Sequence, residues 1–123
     1  MLYNSIKMIG LFEFRCATFE NPKSWGHYVE LWNNGEKLAA EKIYYYNRTW
    51  ESYTYQTAMR RVMGRYKDSR FEALCDDWKK AHNVSRFPKG MRKKLEESFD
   101  ELPICKVIDG VLGCIESGEY IEM

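Results

Sequence analysis

A chain of 123 residues with 45% hydrophobic and 30% charged side chains has the make-up of one folded domain and excludes a disordered or low-complexity protein. It carries 19 Lys and Arg against 18 Asp and Glu, so no uniform excess of either sign selects a partner. No apolar run approaches the roughly 20 residues of a membrane helix. Residues Met1 to Lys7 also lack a signal-peptide pattern, so a cytoplasmic protein with no membrane partner is expected.

Residues 10–46 read as β structure. Phe12, Phe14 and Cys16 alternate with Glu13 and Arg15, the period of two that turns one strand face inward. Glu20 to Gly26 has turn chemistry, with Pro22 fixing φ and Gly26 free to take positive φ. His27 to Trp32 alternates again, placing Val29 and Leu31 opposite Tyr28, Glu30 and Trp32. Asn33-Asn34-Gly35 then signals a hairpin, and a third strand from about Lys37 ends in the β formers Ile43 to Tyr46. Three strands with short links predict an antiparallel meander.

The period changes to 3.6 at Thr49, which can cap a helix starting at Trp50 with Glu51 suited to its dipole. Tyr55, Met59, Val62, Met63 and Tyr66 recur at helical spacing. Asp68 or Ser69 can cap a second helix with the stripe Phe71, Leu74, Cys75 and Trp78, ending near Asn83. A third helix is expected from about Pro88 to Leu102, its stripe Met91, Leu95, Phe99 and Leu102. Phe71, Leu74, Trp78, Leu95 and Phe99 should then be mostly buried in a shared core.

For residues 104–116 two signals compete. Ile104, Val107, Ile108, Val111, Leu112 and Ile115 fit a helix between Pro103 and Gly118, whereas Asp109-Gly110 is a hairpin turn signal. Lys106, Asp109, Gly113 and Glu116 all fall on the opposite face, which favours the helix. The expected fold is α+β: a single domain over 1–123, with a three-stranded antiparallel β-meander at the N-terminal end followed by three to four helices.

Charge is unevenly placed. Residues 60–94 hold 12 Lys and Arg against 4 acids, and residues 96–122 hold 8 acids against Lys106 alone. Arg60, Arg61, Arg65, Lys67 and Arg70, extended by Lys89, Arg92, Lys93 and Lys94, form a candidate partner-binding patch able to attract phosphates. The bland alternative is a set of solvated helix faces that neutralise one another across the fold. The acidic tail has a sharper reading as a surface imitating a phosphate backbone.

No motif carries chemistry. The two histidines, His27 in a strand and His82 at a helix end, read as a half-exposed strand residue and a dipole-compatible terminus. Cys16, Cys75, Cys105 and Cys114 form no CxxC pair and read as small core residues. No phosphate loop, HExxH or paired-carboxylate pattern appears, so neither an enzyme nor a cofactor is expected. The link Asn83 to Phe87 loosely suits a helix-turn-helix without its usual short glycine turn.

The most distinctive string runs Tyr44-Tyr45-Tyr46-Asn47-Arg48-Thr49-Trp50-Glu51-Ser52-Tyr53-Thr54-Tyr55-Gln56-Thr57. It reads either as aromatics packing a sheet-to-helix corner or as an exposed aromatic and arginine patch. Over about residues 43–63 the chain resembles small accessory proteins of bacteriophages and mobile elements of Gram-positive bacteria. That group includes inhibitors of bacterial immunity of the anti-CRISPR kind, which share no common motif. The resemblance implies a non-enzymatic binding protein in the bacterial cytoplasm that inhibits a host nucleoprotein or nuclease, such as a CRISPR nuclease. The alternative is a small DNA- or RNA-binding protein using residues 60–94.

Overall fold

The computed structural model describes residues 3–20, 22–45 and 55–123. Its elements are β1 (Ser5–Ile9), β2 (Phe12–Glu20), β3 (Trp25–Asn33), β4 (Glu36–Tyr45), α1 (Gln56–Ala81), α2 (Met91–Asp100), α3 (Pro103–Ser117) and β5 (Ile121–Glu122). The α+β class holds, with more strands than expected. The sheet is antiparallel at every pairing and ordered β4-β3-β2-β1-β5.

Two-residue turns set the meander's register. Gly10, with φ +58°, occupies the first central position between the paired Ile9 and Phe12, as a II′ turn needs. Asn34 and Gly35 both take positive φ between Asn33 and Glu36, the I′ geometry that the sequence signalled. Strand β1 escapes sequence reading because its central inward position holds Lys7, which breaks the apolar alternation. Lys7 is nonetheless buried, donating to Ser5 Oγ at 2.8 Å and to Glu122 Oε1 at 2.9 Å, with its ammonium 5.0 Å from the Tyr55 ring centre. That ion pair also ties the short β5 to the sheet.

One face of the sheet is covered. Phe12, Phe14, Cys16, Val29, Leu31 and Ile43 point to the helices and join Met59, Val62 and Met63 of α1 with Ile108, Val111 and Ile115 of α3 in one core. His27 also lies on this face, buried 4.3 Å from the Tyr55 ring, which corrects the expectation of a half-exposed residue. Cys16, Cys75 and Cys105 are buried and free, and burial pushes the Cys16 thiol up to about 11.

The helices differ from expectation in two places. One helix of 26 residues runs through the predicted break at Asp68 and Ser69. Ser69 Oγ donates to the Tyr66 carbonyl at 2.7 Å, so a residue read as a cap is satisfied inside the helix. The start expected at Thr49 and Trp50 lies outside the described residues. Helix α1 ends as expected at Asn83, whose φ of +52° completes a Schellman closure with Val84 N–H donating to the Lys79 carbonyl at 3.0 Å. Helix α2 begins later than expected, at Met91, because Gly90 takes φ +82° and cannot continue a helix from Pro88. Residues 104–116 are helical, so periodicity and the Pro103–Gly118 frame prevail over the Asp109-Gly110 turn signal.

Phe71, Leu74, Trp78, Leu95 and Phe99 do not enter the main core. Phe99 is buried and packs 5.3 Å from Phe71, but the other four are only half-buried. The cause is the length of α1. Its turns at Tyr66, Ser69, Arg70 and Ala73 pass the β3–β4 hairpin, and the turns beyond meet α2 and the loop 82–90 instead. A second, thinner cluster forms there.

Gly26 supplies a local test of the packing. A Cβ at this position would lie 1.9 Å from the Ile43 carbonyl oxygen and 2.6 Å from the Phe19 ring. Gly26→Ala is therefore expected to destabilise the fold by about 2–3 kcal/mol, in the range of overpacked sites. Urea denaturation measures it, and a midpoint equal to wild type would refute the packing described.

Candidate interaction surface

Alternation that buries one sheet face must present the other. Among the described residues no helix packs on the face formed by Glu13, Arg15, Tyr28, Glu30, Trp32 and Lys42. Tyr3 leans onto it from the N-terminal side. At its centre Glu30 is buried, and four groups point at its carboxylate. Tyr3 Oη donates to Oε1 at 2.5 Å, Tyr28 Oη to Oε2 at 2.6 Å, Trp32 Nε1 to Oε1 at 3.0 Å, and Lys37 Nζ approaches Oε2 at 3.3 Å. Burial alone would push this carboxyl up, but the hydrogen bonds from Tyr28, Tyr3, Trp32 and Lys37 outweigh it and hold the group down to about 2. Burial and the bond to Glu30 in turn push the Tyr28 phenol up to about 12.

Cations lie over the neighbouring rings. The Arg15 guanidinium sits 3.8 Å above the Trp32 ring and is ion-paired with Glu13. Across the face, Phe19 and Tyr44 meet edge-to-face at 5.1 Å, with Lys42 Nζ 4.5 Å from the Phe19 ring centre. Gly26 leaves them room, since it pairs with both Phe19 and Tyr44. The result is a half-buried aromatic carpet whose hydroxyl, indole and charged groups are fixed in place. Sequence reading placed Tyr28, Glu30 and Trp32 on one face but gave no sign that the face stays open.

The cations expected to form one patch fall in four places. Arg60 and Lys67 lean toward α3, with Arg60 Nη1 donating to Glu116 at 3.0 Å and Lys67 Nζ 3.8 Å from Asp109. Arg65 turns to the sheet, donating to Glu41 at 2.6 Å, and Arg61 lines a recess on that same side. Arg92 on α2 donates to Glu72 at 2.6 Å and lies 3.8 Å from Glu96. Lys89 and Lys93 are exposed beside it and have no acidic partner among the described residues, while Arg70 faces the hairpin recess. Exposed pairs of this kind contribute ~0–1 kcal/mol each. Their effect on binding is larger, because a paired guanidinium has less charge to offer a phosphate.

Among the described residues no group of His, Cys, Asp and Glu could hold a metal ion, and no helix is long and apolar enough to cross a membrane. His82 Nδ1 lies 2.8 Å from the Trp78 carbonyl at the end of α1, as its dipole-compatible reading predicts. Most of the aromatic string, residues 46–54, lies outside the described residues; of its ends, Tyr44 is exposed while Tyr45 and Tyr55 are half-buried.

The Glu30 network carries a pH signature of defined sign. The carboxyl is depressed below its ordinary value of ~4.3, so its contribution to stability is complete above that pH and disappears as pH falls toward 2. The Tyr28 phenol is raised from ~10, so its contribution is complete below pH 10 and is lost as pH climbs toward 12. Glu30→Gln is expected to flatten the acid limb of a plot of urea midpoint against pH and to lessen the alkaline limb only in part, since burial still raises the Tyr28 phenol. Unchanged acid and alkaline limbs would show that Glu30 is not the group responsible.

Comparison of the chain with protein-family models, curated proteins and solved structures gives no match.

Proposed function

We propose that this chain is a non-enzymatic binding protein that docks its open sheet face on a protein component of a host nucleoprotein or nuclease and inhibits it. The observation that carries the reading is the ring of donors that fixes Tyr3, Tyr28 and Trp32 around Glu30. Aromatic side chains and arginine dominate binding energy at protein interfaces, and groups held in one rotamer lose little entropy on docking. Both signs of charge occur on the face, with Arg15 and Lys42 beside Glu13 and Glu30, which suits a mixed protein surface better than a phosphate backbone.

The inhibitor role, the bacterial cytoplasm and a CRISPR nuclease as target follow from the resemblance of residues 43–63 to phage accessory proteins. A rigid domain with an uncovered aromatic face is sufficient for inhibition by occupancy, and this role requires no catalytic group.

Affinity capture from bacterial lysate, before and after nuclease digestion, tests the proposal. A nuclease or nucleoprotein subunit is expected to remain bound after nucleic acid is digested. The double variant Trp32→Ala/Tyr44→Ala should lose it, with about a hundredfold weaker binding if both side chains are hot spots. Recovery only through intact nucleic acid, or full retention by the double variant, would overturn the sheet face as the site.

A further inference from the structure

We infer that the end of the α1–α2 hairpin is a binding site for single-stranded nucleic acid. The inference is independent of the open sheet face and concerns a different class of ligand.

Between Trp78 and Leu95 the chain has seven Lys and Arg and no Asp or Glu. The structure gathers this stretch at one place. The Schellman closure at Asn83 reverses the chain, and the loop folds back so that the Phe87 ring lies 5.4 Å from Trp78, with Lys79 Nζ 4.6 Å from the Phe87 ring centre. Arg86 and Lys89 flank Phe87 in this loop, and Lys93 and Lys94 follow in the first turn of α2.

Two properties mark these cations. Lys80, Arg86, Lys89, Lys93 and Lys94 are exposed and make no ion pair among the described residues, whereas Arg60, Arg65, Lys67 and Arg92 each face an acid. Acids border the region: Asp76 lines a recess with Lys79 and Lys80, Asp77 precedes it in the chain, and Glu72 and Glu96 hold Arg92. Lys93 and Lys94 also sit at the positive end of the α2 dipole, and no acid lies in that first turn. Helix stability does not account for cations there.

The aromatic groups select the kind of polyanion. The His82 ring lies flat on Trp78, with centres 4.0 Å apart and planes 17° from parallel. His82 is exposed, so the stack ends at solvent, two residues from Lys80 in the chain. A base can extend such a stack while adjacent phosphates meet the lysines, the pairing by which single strands are held without sequence readout. A long duplex offers no free base face and would run its phosphates past Asp76, Asp77 and Glu96. An anionic membrane would need apolar anchors, and Val84 is the one large hydrophobic exposed in this loop.

Fluorescence anisotropy with labelled oligothymidylate of about ten nucleotides, the span of a small single-strand site, provides the test. Binding is expected at ~50 mM salt, and the logarithmic affinity should fall against log salt with a slope of about −2 to −3.5, as for three to five neutralised phosphates. Lys80→Glu/Lys89→Glu should weaken binding by about tenfold or more. His82→Ala should weaken it about fivefold or more without changing the salt slope. Arg60→Ala/Lys67→Ala, whose cations are already paired, and Trp32→Ala/Tyr44→Ala, on the sheet face, should leave it within about twofold. No binding at ~50 mM salt, an unaffected charge-reversal variant, or tighter binding to duplex DNA or to vesicles of anionic lipid would overturn the inference.

Discussion

The fold depends on one contact: the stripe Ala58, Met59, Val62 and Met63 of α1 laid against Phe14, Leu31 and Ile43 of the sheet. Each fully buried side chain of this size contributes ~1.5–3 kcal/mol, and α3 adds Ile108, Val111 and Ile115 to the same layer. Because strands alternate, committing Phe14, Cys16, Val29 and Leu31 to the helices commits Arg15, Tyr28, Glu30 and Trp32 to the opposite side. Among the described residues, helices pack on one face only. The remaining face must live with water, and its composition reflects that: large rings half-buried by their neighbours, with polar tips bonded to each other.

Glu30 is what makes such a face possible. A carboxylate buried at the centre of a sheet is costly unless its lone pairs are used, and here two phenols, an indole and an ammonium use them. The same bonds dictate where the rings lie. Tyr3 ties the segment before β1 to β3 across 27 residues of sequence, so the network braces the sheet as well as decorating it. A face organised in this way is already ordered before a partner arrives, and the ordering entropy is settled during folding.

Local rules were legible in the sequence, and tertiary arrangement was not. Asn34-Gly35 named its own hairpin because no other residue pair takes two positive φ angles so easily. The polar face Lys106, Asp109, Gly113 and Glu116 outweighed the turn signal inside it and identified α3. Strand β1 was missed because Lys7 occupies an inward position made tolerable by Ser5, by the Tyr55 ring and by Glu122, 115 residues away. The continuity of α1 was missed because Ser69 satisfies its hydroxyl on a carbonyl one turn back, which no cap rule reveals. Whether a strand's second face is covered depends on where helices pack, so Tyr28, Glu30 and Trp32 could be read as outward but not as open. In the same way, sequence gave the total charge of residues 60–94, while its division into paired and free cations required the positions of Glu41, Glu72, Asp109 and Glu116.

That division traces back to the length of α1. At 26 residues it spans about 39 Å, more than the stretch it needs to run along β4 from Gln56 to the hairpin. Over the first part, neighbours on both flanks supply acids, so Arg60, Arg65 and Lys67 are spent on the fold. Past the hairpin, among the described residues, the helix meets α2 and the loop 82–90, which cover the cluster of Phe71, Trp78, Phe87 and Phe99. Cations there meet solvent, and the rings stay partly open. A helix that outruns its sheet thus produces two surfaces of different chemistry, a mixed aromatic face on the sheet and a cationic end on the hairpin. They share no residues, so one could be occupied without emptying the other. A target built of both protein and nucleic acid would offer each surface the chemistry it fits.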